Sequence, residues 1–381
     1  MEHQILTIET QAELVELCQQ LANENLLAID TEFVRTRTLF PKLGLLQVAS
    51  ANTTACIDPL AVDDLSPFWQ LLTNPNILKV LHACSEDLEV FLTSGNVKIA
   101  NMLDSQIMMA FLGHGISLGY AAMVKHYLAI ELDKTESRTD WTKRPLSSKQ
   151  IKYAGADVYY LYRLFPKLRA EIEEQGYFDA VSQESQNLID KKAQPINAGL
   201  LYQDVKLSWK LSPVGLNRLK YLASWRYDQA VKRDLPISFV AKDNTLFALA
   251  LHDPKSVPAM LALEGCDMLD VRYKGKAMLH VLKSASQVEE QDFPEKLQRL
   301  DNAAGYKQIF KRLKSFLTTQ AEQHNVPIAV LASKKQMNQL LKWQFNINNI
   351  RQTSERVDLL SGWRNALIGQ DLANFIANNY Q

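Results

Sequence analysis

Charge bias is what this 381-residue sequence most plainly lacks: 42 lysines and arginines balance 42 aspartates and glutamates. A net charge of zero argues, at first sight, against a polyanionic partner. Cysteine is scarce too. Cys18, Cys56, Cys84 and Cys266 stand far apart and form no Cys-x-x-Cys pair. That spacing argues against a disulfide framework or a thiolate zinc site and fits reduced thiols in a cytoplasmic protein. No basic stretch leading into an apolar run opens the chain, so no export signal is expected. The longest uncharged run, residues 105–124, approaches membrane-span length, but Gly113, His114, Gly115, Ser117 and Gly119 interrupt it. It reads as two helices joined by a loop, and no membrane contact is expected. No G-x-x-x-x-G-K-[ST] phosphate loop occurs, which argues against a nucleotide-driven motor.

The neutral total hides a division. Residues 1–190 hold 25 acidic and 15 basic side chains, and residues 191–381 hold 17 acidic and 27 basic. An acidic half beside a basic half is the asymmetry expected when one part holds cations and the other holds phosphates.

The acidic half alternates strand and helix signals. A short apolar run at residues 4–8 precedes a helical pattern over 10–21, and residues 26–33 (LLAIDTEF) read as a strand entering a core. Residues 44–50 and 53–57 flank the Ala51-Asn52 turn and predict a hairpin. Residues 77–82 (ILKVLH) read as a further buried strand, with Ser85 as N-cap of the helix after it. Ser147 or Ser148 is expected to cap a long helix through Tyr153 and Asp157. Interleaved strands and helices imply an α/β layer fold.

From about residue 205 the strand signals stop. Leu216, Leu219 and Leu222 share a helical face, as do Ile309, Leu313 and Phe316. Residues 191–206, with Pro195, Asn197 and Gly199, read as a linker. The helical half also repeats itself at an offset of 91 residues. Leu222, Ser224, Gln229, Ala230, Pro236 and Ile237 recur as Leu313, Ser315, Gln320, Ala321, Pro327 and Ile328. Trp225, Leu235 and Val240 align with the apolar Phe316, Val326 and Leu331, with no gap. Two related helical domains in tandem follow, giving four segments: 1–190, a linker at 191–206, 207–290 and 291–381.

Three short segments carry candidate chemistry. Asp30-Thr31-Glu32 sits in an apolar strand, where residues i and i+2 share a face roughly 6.5 Å apart. Two carboxylates projecting together from a hydrophobic strand are costly unless a cation lies between them, and Mg²⁺ prefers such oxygen ligands. His82-Ala83-Cys84-Ser85-Glu86-Asp87 runs from a strand into a helix, where an acid also simply favours the helix dipole. Glu86 and Glu89 rival Asp87 there. Tyr153-Ala154-Gly155-Ala156-Asp157 puts Tyr153 and Asp157 on one helical face about 6 Å apart, with only small residues between.

Singly these segments are ordinary; in this order they resemble the DEDD exonucleases of the tyrosine subclass. Residues 30–38 (DTEFVRTRT), 43–47 (LGLLQ), 81–91 (LHACSEDLEVF), 133–141 (DKTESRTDW) and 144–146 (RPL) resemble bacterial ribonuclease D in particular. The helical repeats resemble HRDC domains, so the likeness covers nearly the whole chain.

The resemblance implies an α/β RNase H-like exonuclease domain, a mixed sheet flanked by helices, followed by two all-α HRDC-like domains. It implies catalysis by Asp30, Glu32, Asp87, Tyr153 and Asp157 with two divalent cations, Mg²⁺ or else Mn²⁺. Asp30 would bridge both ions, Glu32 and Asp157 would complete the first, and Asp87 would hold the second through water. Tyr153 would orient the attacking water by a hydrogen bond, since an ordinary tyrosine stays protonated at pH 7. The expected activity is 3′→5′ hydrolysis of RNA to 5′-nucleoside monophosphates by a cytoplasmic monomer, with 3′-extended tRNA precursors as substrates. Competing expectations are a 3′→5′ exonuclease acting on DNA and a noncatalytic RNA-binding adaptor.

Other residues attract attention without such support. Arg35, Arg37, Lys42, Arg138, Lys143 and Arg144 could hold phosphates, and His82 and Gln47 could line a site. Gly155, often alanine in the family motif, is expected to loosen its helix by about 0.5–1 kcal/mol relative to alanine. The second repeat has Phe316-Leu317 where the first has Trp225-Arg226, which marks it as the weaker RNA-contacting copy and as a brace.

Overall fold

The structure, a computed structural model, describes residues 4–133, 135–353 and 356–379. The extreme ends of the first and last expected domains, and Lys134 of the 133–141 segment, lie outside the described residues.

Strand β1 (Leu6–Ile8) leads into helix α1 (Gln11–Leu21). Thr10 caps that helix: its hydroxyl accepts the Glu13 amide, and the Glu13 carboxylate accepts the Thr10 amide at 3.0 Å. Three strands follow, β2 (Leu26–Val34), β3 (Lys42–Ala49) and β4 (Thr54–Ile57). Then come α2 (Ser66–Thr73), β5 (Leu78–Leu81), α3 (Ser85–Gly95), β6 (Met102–Asp104), α4 (Ser105–Phe111), α5 (Tyr120–Leu128), α6 (Ser148–Glu174) and α7 (Phe178–Ala193). The uncharged run thus divides into α4 and α5, and no helix among the described residues is long and apolar enough to cross a membrane.

The strands form one mixed sheet in the order β1-β4-β3-β2-β5-β6. β3 pairs antiparallel with β2 and β4, while the other pairings are parallel. Side-chain alternation along β2 divides its residues between two cores. Leu27 and Ile29 pack with Leu14 of α1, Phe68 of α2 and Phe91 of α3. Ala28 faces the other way, with Met108 of α4 and Val158, Leu161 and Phe165 of α6. Asp30 and Glu32 share the parity of Ala28, so they project toward α6.

The helical half contains α8 (Pro213–Arg233), α9 (Ile237–Val240), α10 (Asp243–His252), α11 (Val257–Leu261) and α12 (Met268–Ala285), then α13 (Tyr306–Gln323), α14 (Ile328–Leu331), α15 (Lys334–Gln344) and α16 (Gly362–Asn379). α9 and α14 begin 91 residues apart, as do α10 and α15, so the sequence repeat is a repeat of structure. Within residues 191–206, α7 continues to Ala193, and Asn197 caps a 3-10 turn over Ala198–Asp204. Tyr202 and Val205 are buried in the core of the first helical unit.

The two units meet the α/β domain differently. The first has its own core, built around Leu216, Leu219, Leu222, Leu246 and Met278. The second shares a core with the α/β domain, where Leu313, Leu340 and Leu372 join Phe165, Leu168 and Val181. The Trp363 ring lies 5.3 Å from Phe111, and the nearly buried Arg364 pairs with Glu184 at 2.6 Å. The first unit is hydrogen-bonded to the α/β domain by Asp234, at the left-handed C-cap of α8. Its carboxylate accepts the backbone N–H groups of Leu39 and Phe40, each at 3.0 Å.

Candidate active site

Strand β2 and helix α6 build the centre of the site. Asp30, Glu32 and Asp157 bring one carboxylate oxygen each to within 4.8 Å of one another, and all three side chains are half-buried. α6 is held at its start by Ser147, whose hydroxyl accepts the Gln150 amide while the Gln150 side chain bonds back to the Ser147 amide. Tyr153 and Asp157 therefore lie one turn apart, and the Tyr153 hydroxyl donates to the Asp157 carboxylate. Behind Tyr153 stands the fully buried Trp141, ring centroids 6.1 Å apart. Trp141 fits because position 44 is glycine: a Cβ on Gly44 would lie 2.6 Å from the Trp141 carbonyl oxygen.

Asp87 is buried beside this trio rather than within it. Its carboxylate accepts the Thr31 hydroxyl, and its charge still acts on Asp30 and Glu32. The entry to α3 differs from the sequence expectation. Cys84 occupies the N-cap with no side-chain cap bond, and Ser85 is already the first helical residue. The capping work falls to Asp104, at the end of β6, whose carboxylate accepts the amides of Ala83 and Cys84, both at 2.9 Å. It also accepts the Gln106 amide at 2.8 Å. Ala83 holds a left-handed φ of 55°, a conformation that costs a non-glycine residue about 1–2 kcal/mol and that these bonds sustain. Asp104 thus fixes the turn that aims Asp87. Its sequence signal was an acid that ends a three-residue strand just before a serine, too short a pattern to single out.

Burial and mutual repulsion dominate the electrostatics. Burial, then the charges of Asp87, Asp157 and Glu32, hold Asp30 well above the usual carboxylate range. Burial and the charges of Asp157 and Asp87 push Glu32 up to about 9. Asp157 is raised to about 7 by burial, against the Tyr153 hydrogen bond, and Asp87 to about 6, against the Thr31 hydrogen bond. Burial and the nearby carboxylates raise Tyr153 as well, so its hydroxyl stays protonated and donates.

Among the described residues no lysine or arginine forms an ion pair with any of these four carboxylates. Gln47, opposite Asp30 in the β2–β3 ladder, is fully buried with neither amide atom bonded. Clustered carboxylates without a protein cation are a donor set that fits a hard divalent ion. A cleft of about 220 Å³ opens over Asp30, Glu32 and Asp157, bounded also by Ile29, His82, Tyr120 and Leu161. His82 is pinned there, Nδ1 at 2.9 Å from Ser105 Oγ and Nε2 at 3.1 Å from the Leu118 carbonyl oxygen, and burial lowers its pKa.

The basic candidates separate into engaged and open groups. Arg144 is bidentate to Asp58, at 2.5 and 2.7 Å, and donates to the Gly44 and Trp141 carbonyls. It locks the chain before α6 instead of facing a phosphate. Arg35 pairs with Glu89. Arg37, Lys42, Arg138 and Lys143 are exposed.

The chain matches three families in order: 3'-5' exonuclease over residues 5–173, HRDC domain over 215–282, and the C-terminal HRDC domain of ribonuclease D over 304–372. It is 39% identical to ribonuclease D of Serratia proteamaculans over 99% of both chains. To that of a Shewanella species it is 40% identical, over 96% of this chain and 92% of the relative. The chain belongs to the ribonuclease D family. Its architecture agrees with the crystal structure of Escherichia coli ribonuclease D, with a TM-score of 0.93 at 36% identity and complete coverage of both chains. As a member of the ribonuclease D family it is a 3′→5′ exoribonuclease, with a DEDD-type fold that uses divalent metal and HRDC domains suited to nucleic acid.

Proposed function

We propose that this exoribonuclease trims unpaired 3′ tails from structured RNAs, tRNA precursors among them, releasing 5′-nucleoside monophosphates by hydrolysis. The observation that carries the reading is the convergence of Asp30, Glu32 and Asp157, with Asp87 beside them and the Tyr153 hydroxyl bonded to Asp157. The E. coli relative is described as an exoribonuclease involved in structured RNA processing, which supports the substrate class.

In this reading Asp30, Glu32, Asp87 and Asp157 hold two Mg²⁺ ions, with Mn²⁺ as the substitute. Such a pair supplies activation of the attacking water and charge neutralisation at the departing 3′ oxygen. The protein's own part is positional. Thr31 holds one oxygen of Asp87, Trp141 backs Tyr153, and the Tyr153 hydroxyl directs the attacking water by a hydrogen bond. The enzyme works as a cytoplasmic monomer: all five groups come from one chain, and the four cysteines are free thiols.

The test incubates the protein with a 3′-extended tRNA and a DNA strand of matched sequence, with Mg²⁺ or with chelator, and sizes the products. Stepwise loss of single nucleotides from the RNA 3′ end, only with Mg²⁺, is expected. Internal fragments, or DNA shortened as fast as RNA, would overturn the proposal.

A further inference from the structure

The first helical unit leaves one long face open to solvent. Along α12 the exposed positions follow helical spacing through Leu269, Arg272, Tyr273, Lys276, His280 and Lys283. The one acid of this helix, Asp270, is buried, accepts the Lys242 amide and the Thr245 hydroxyl, and faces Lys274 at 3.8 Å. Arg272, Lys276 and Lys283 have no ion pair among the described residues, and Tyr273 is 72% exposed. Unpaired cations alone make a solvated surface. A tyrosine ring held bare among them, with Leu269 at 61% exposure beside it, is the combination that grips a nucleic-acid strand: charge for phosphates and a flat face for a base.

The helices of the second unit lack that combination. α13 carries Lys307, Lys311 and Lys314 at similar spacing but no large exposed apolar side chain. α16 has a single basic residue, Arg364, buried against Glu184. Helix α12 is also connected, through α9, to the segment that contacts the α/β domain. Lys274 Nζ donates to the Phe239 carbonyl oxygen in α9 at 2.9 Å, and five residues before Phe239 stands Asp234, bonded to the loop that leaves β2.

We propose that the α12 face binds the RNA upstream of its 3′ end, with backbone phosphates on Arg272, Lys276 and Lys283 and an unpaired base on Tyr273. At 1.5 Å per residue the three cations span about 16 Å, a length that accommodates several phosphates. The proposal rests on the structured-RNA reading above and assigns the grip to the first repeat.

Anisotropy of a 3′-tailed RNA hairpin on the full-length protein, in chelator and across a salt series, tests it. For R272Q/K276Q/K283Q the log–log salt slope should flatten by about two units, three contacts at about 0.7 each. K307Q/K311Q/K314Q on α13 should leave the slope unchanged. Y273A should weaken binding severalfold at an unaltered slope. With Mg²⁺ restored, all three variants should digest a short single-stranded RNA at the wild-type rate, which shows that they fold. An unchanged slope in the α12 triple variant, or equal flattening in both triples, would overturn the assignment. A wild-type protein that digests the short strand but neither binds nor trims the hairpin would overturn the structured-RNA reading and the α12 face with it.

Discussion

The Asp234 carboxylate accepts the Phe40 backbone N–H at 3.0 Å across 194 residues of sequence. A negative charge at the C-terminal end of a helix opposes the helix dipole, so this acid is unfavourable for α8 itself. What offsets that cost is the pair of amides, Leu39 and Phe40, in the loop that follows Asp30 and Glu32. Asp234→Ala should free that loop, with a loss of about 1–3 kcal/mol for hydrogen bonds to a charged group. Trypsin should then cut faster after Arg35 or Arg37. Unchanged cleavage kinetics would show that the loop is held by other contacts.

The carboxylate cluster predicts how stability depends on pH without metal. Glu32, Asp157 and Asp87 are raised to about 9, 7 and 6 from ordinary values of 4.5, 3.8 and 3.8. Folded protein therefore keeps protons that unfolded chain has released, and the stability contribution is complete below about pH 4 and lost as pH rises toward 9. Melting in chelator should show this decline, and saturating Mg²⁺ should suppress it. Asp30→Asn should remain folded, decline less steeply, lose the Mg²⁺ effect and fall to background hydrolysis. A folded variant with near-normal turnover would remove Asp30 from the metal site.

Removing the Tyr153 hydroxyl separates positioning from metal binding. Tyr153→Phe should slow hydrolysis by roughly 10²–10⁴-fold, the range for a positioned proton-handling group, with metal affinity nearly intact. The same change deletes the hydrogen bond that favours ionised Asp157, so in chelator the Asp157 carboxyl should titrate at higher pH. NMR titration of that carboxyl, beside single-turnover rates, checks both. A variant that mainly loses metal affinity would make Tyr153 part of the ion's scaffold.

Gly155 has a different meaning from the expected loosening of α6. A Cβ there would lie 2.4 Å from Ile5 Cδ1 and 2.8 Å from Ile5 Cγ1. Gly155→Ala should therefore destabilise by about 1–3 kcal/mol through overpacking, instead of gaining helix propensity. Ile5→Ala combined with Gly155→Ala should recover much of the loss. Denaturant midpoints of the two single variants and the double variant form the cycle, and simple additivity would refute the contact.

Much of the site was readable because its logic is local. Strand parity placed Asp30 and Glu32 on one face, helical spacing aligned Tyr153 with Asp157, and a serine cap marked the start of α6. The tandem helices announced themselves by repetition. Asp104 and Asp234 were not readable, because each acts on amides 20 or more residues away. Arg144 was misread for a related reason: its partner Asp58 lies 86 residues earlier and carries no motif. Helix α2 and strand β6 escaped notice because they are eight and three residues long, too short for periodicity to speak.

The shared core of the α/β domain and the second helical unit has a consequence for synthesis. Ribosomes deliver the chain from its N-terminus, so α4, α6 and α7 emerge long before α13 and α16 exist to cover them. Nearly two hundred residues separate the end of α7 from the end of α16. At about 5–20 residues per second that delay is roughly 10–40 s. During it Phe111 and its neighbours wait uncovered, while the self-contained first unit has already closed around its own leucines. The nascent chain thus passes through an interval in which its first domain is complete in topology yet sticky on one side, open to chaperones until its last helix arrives.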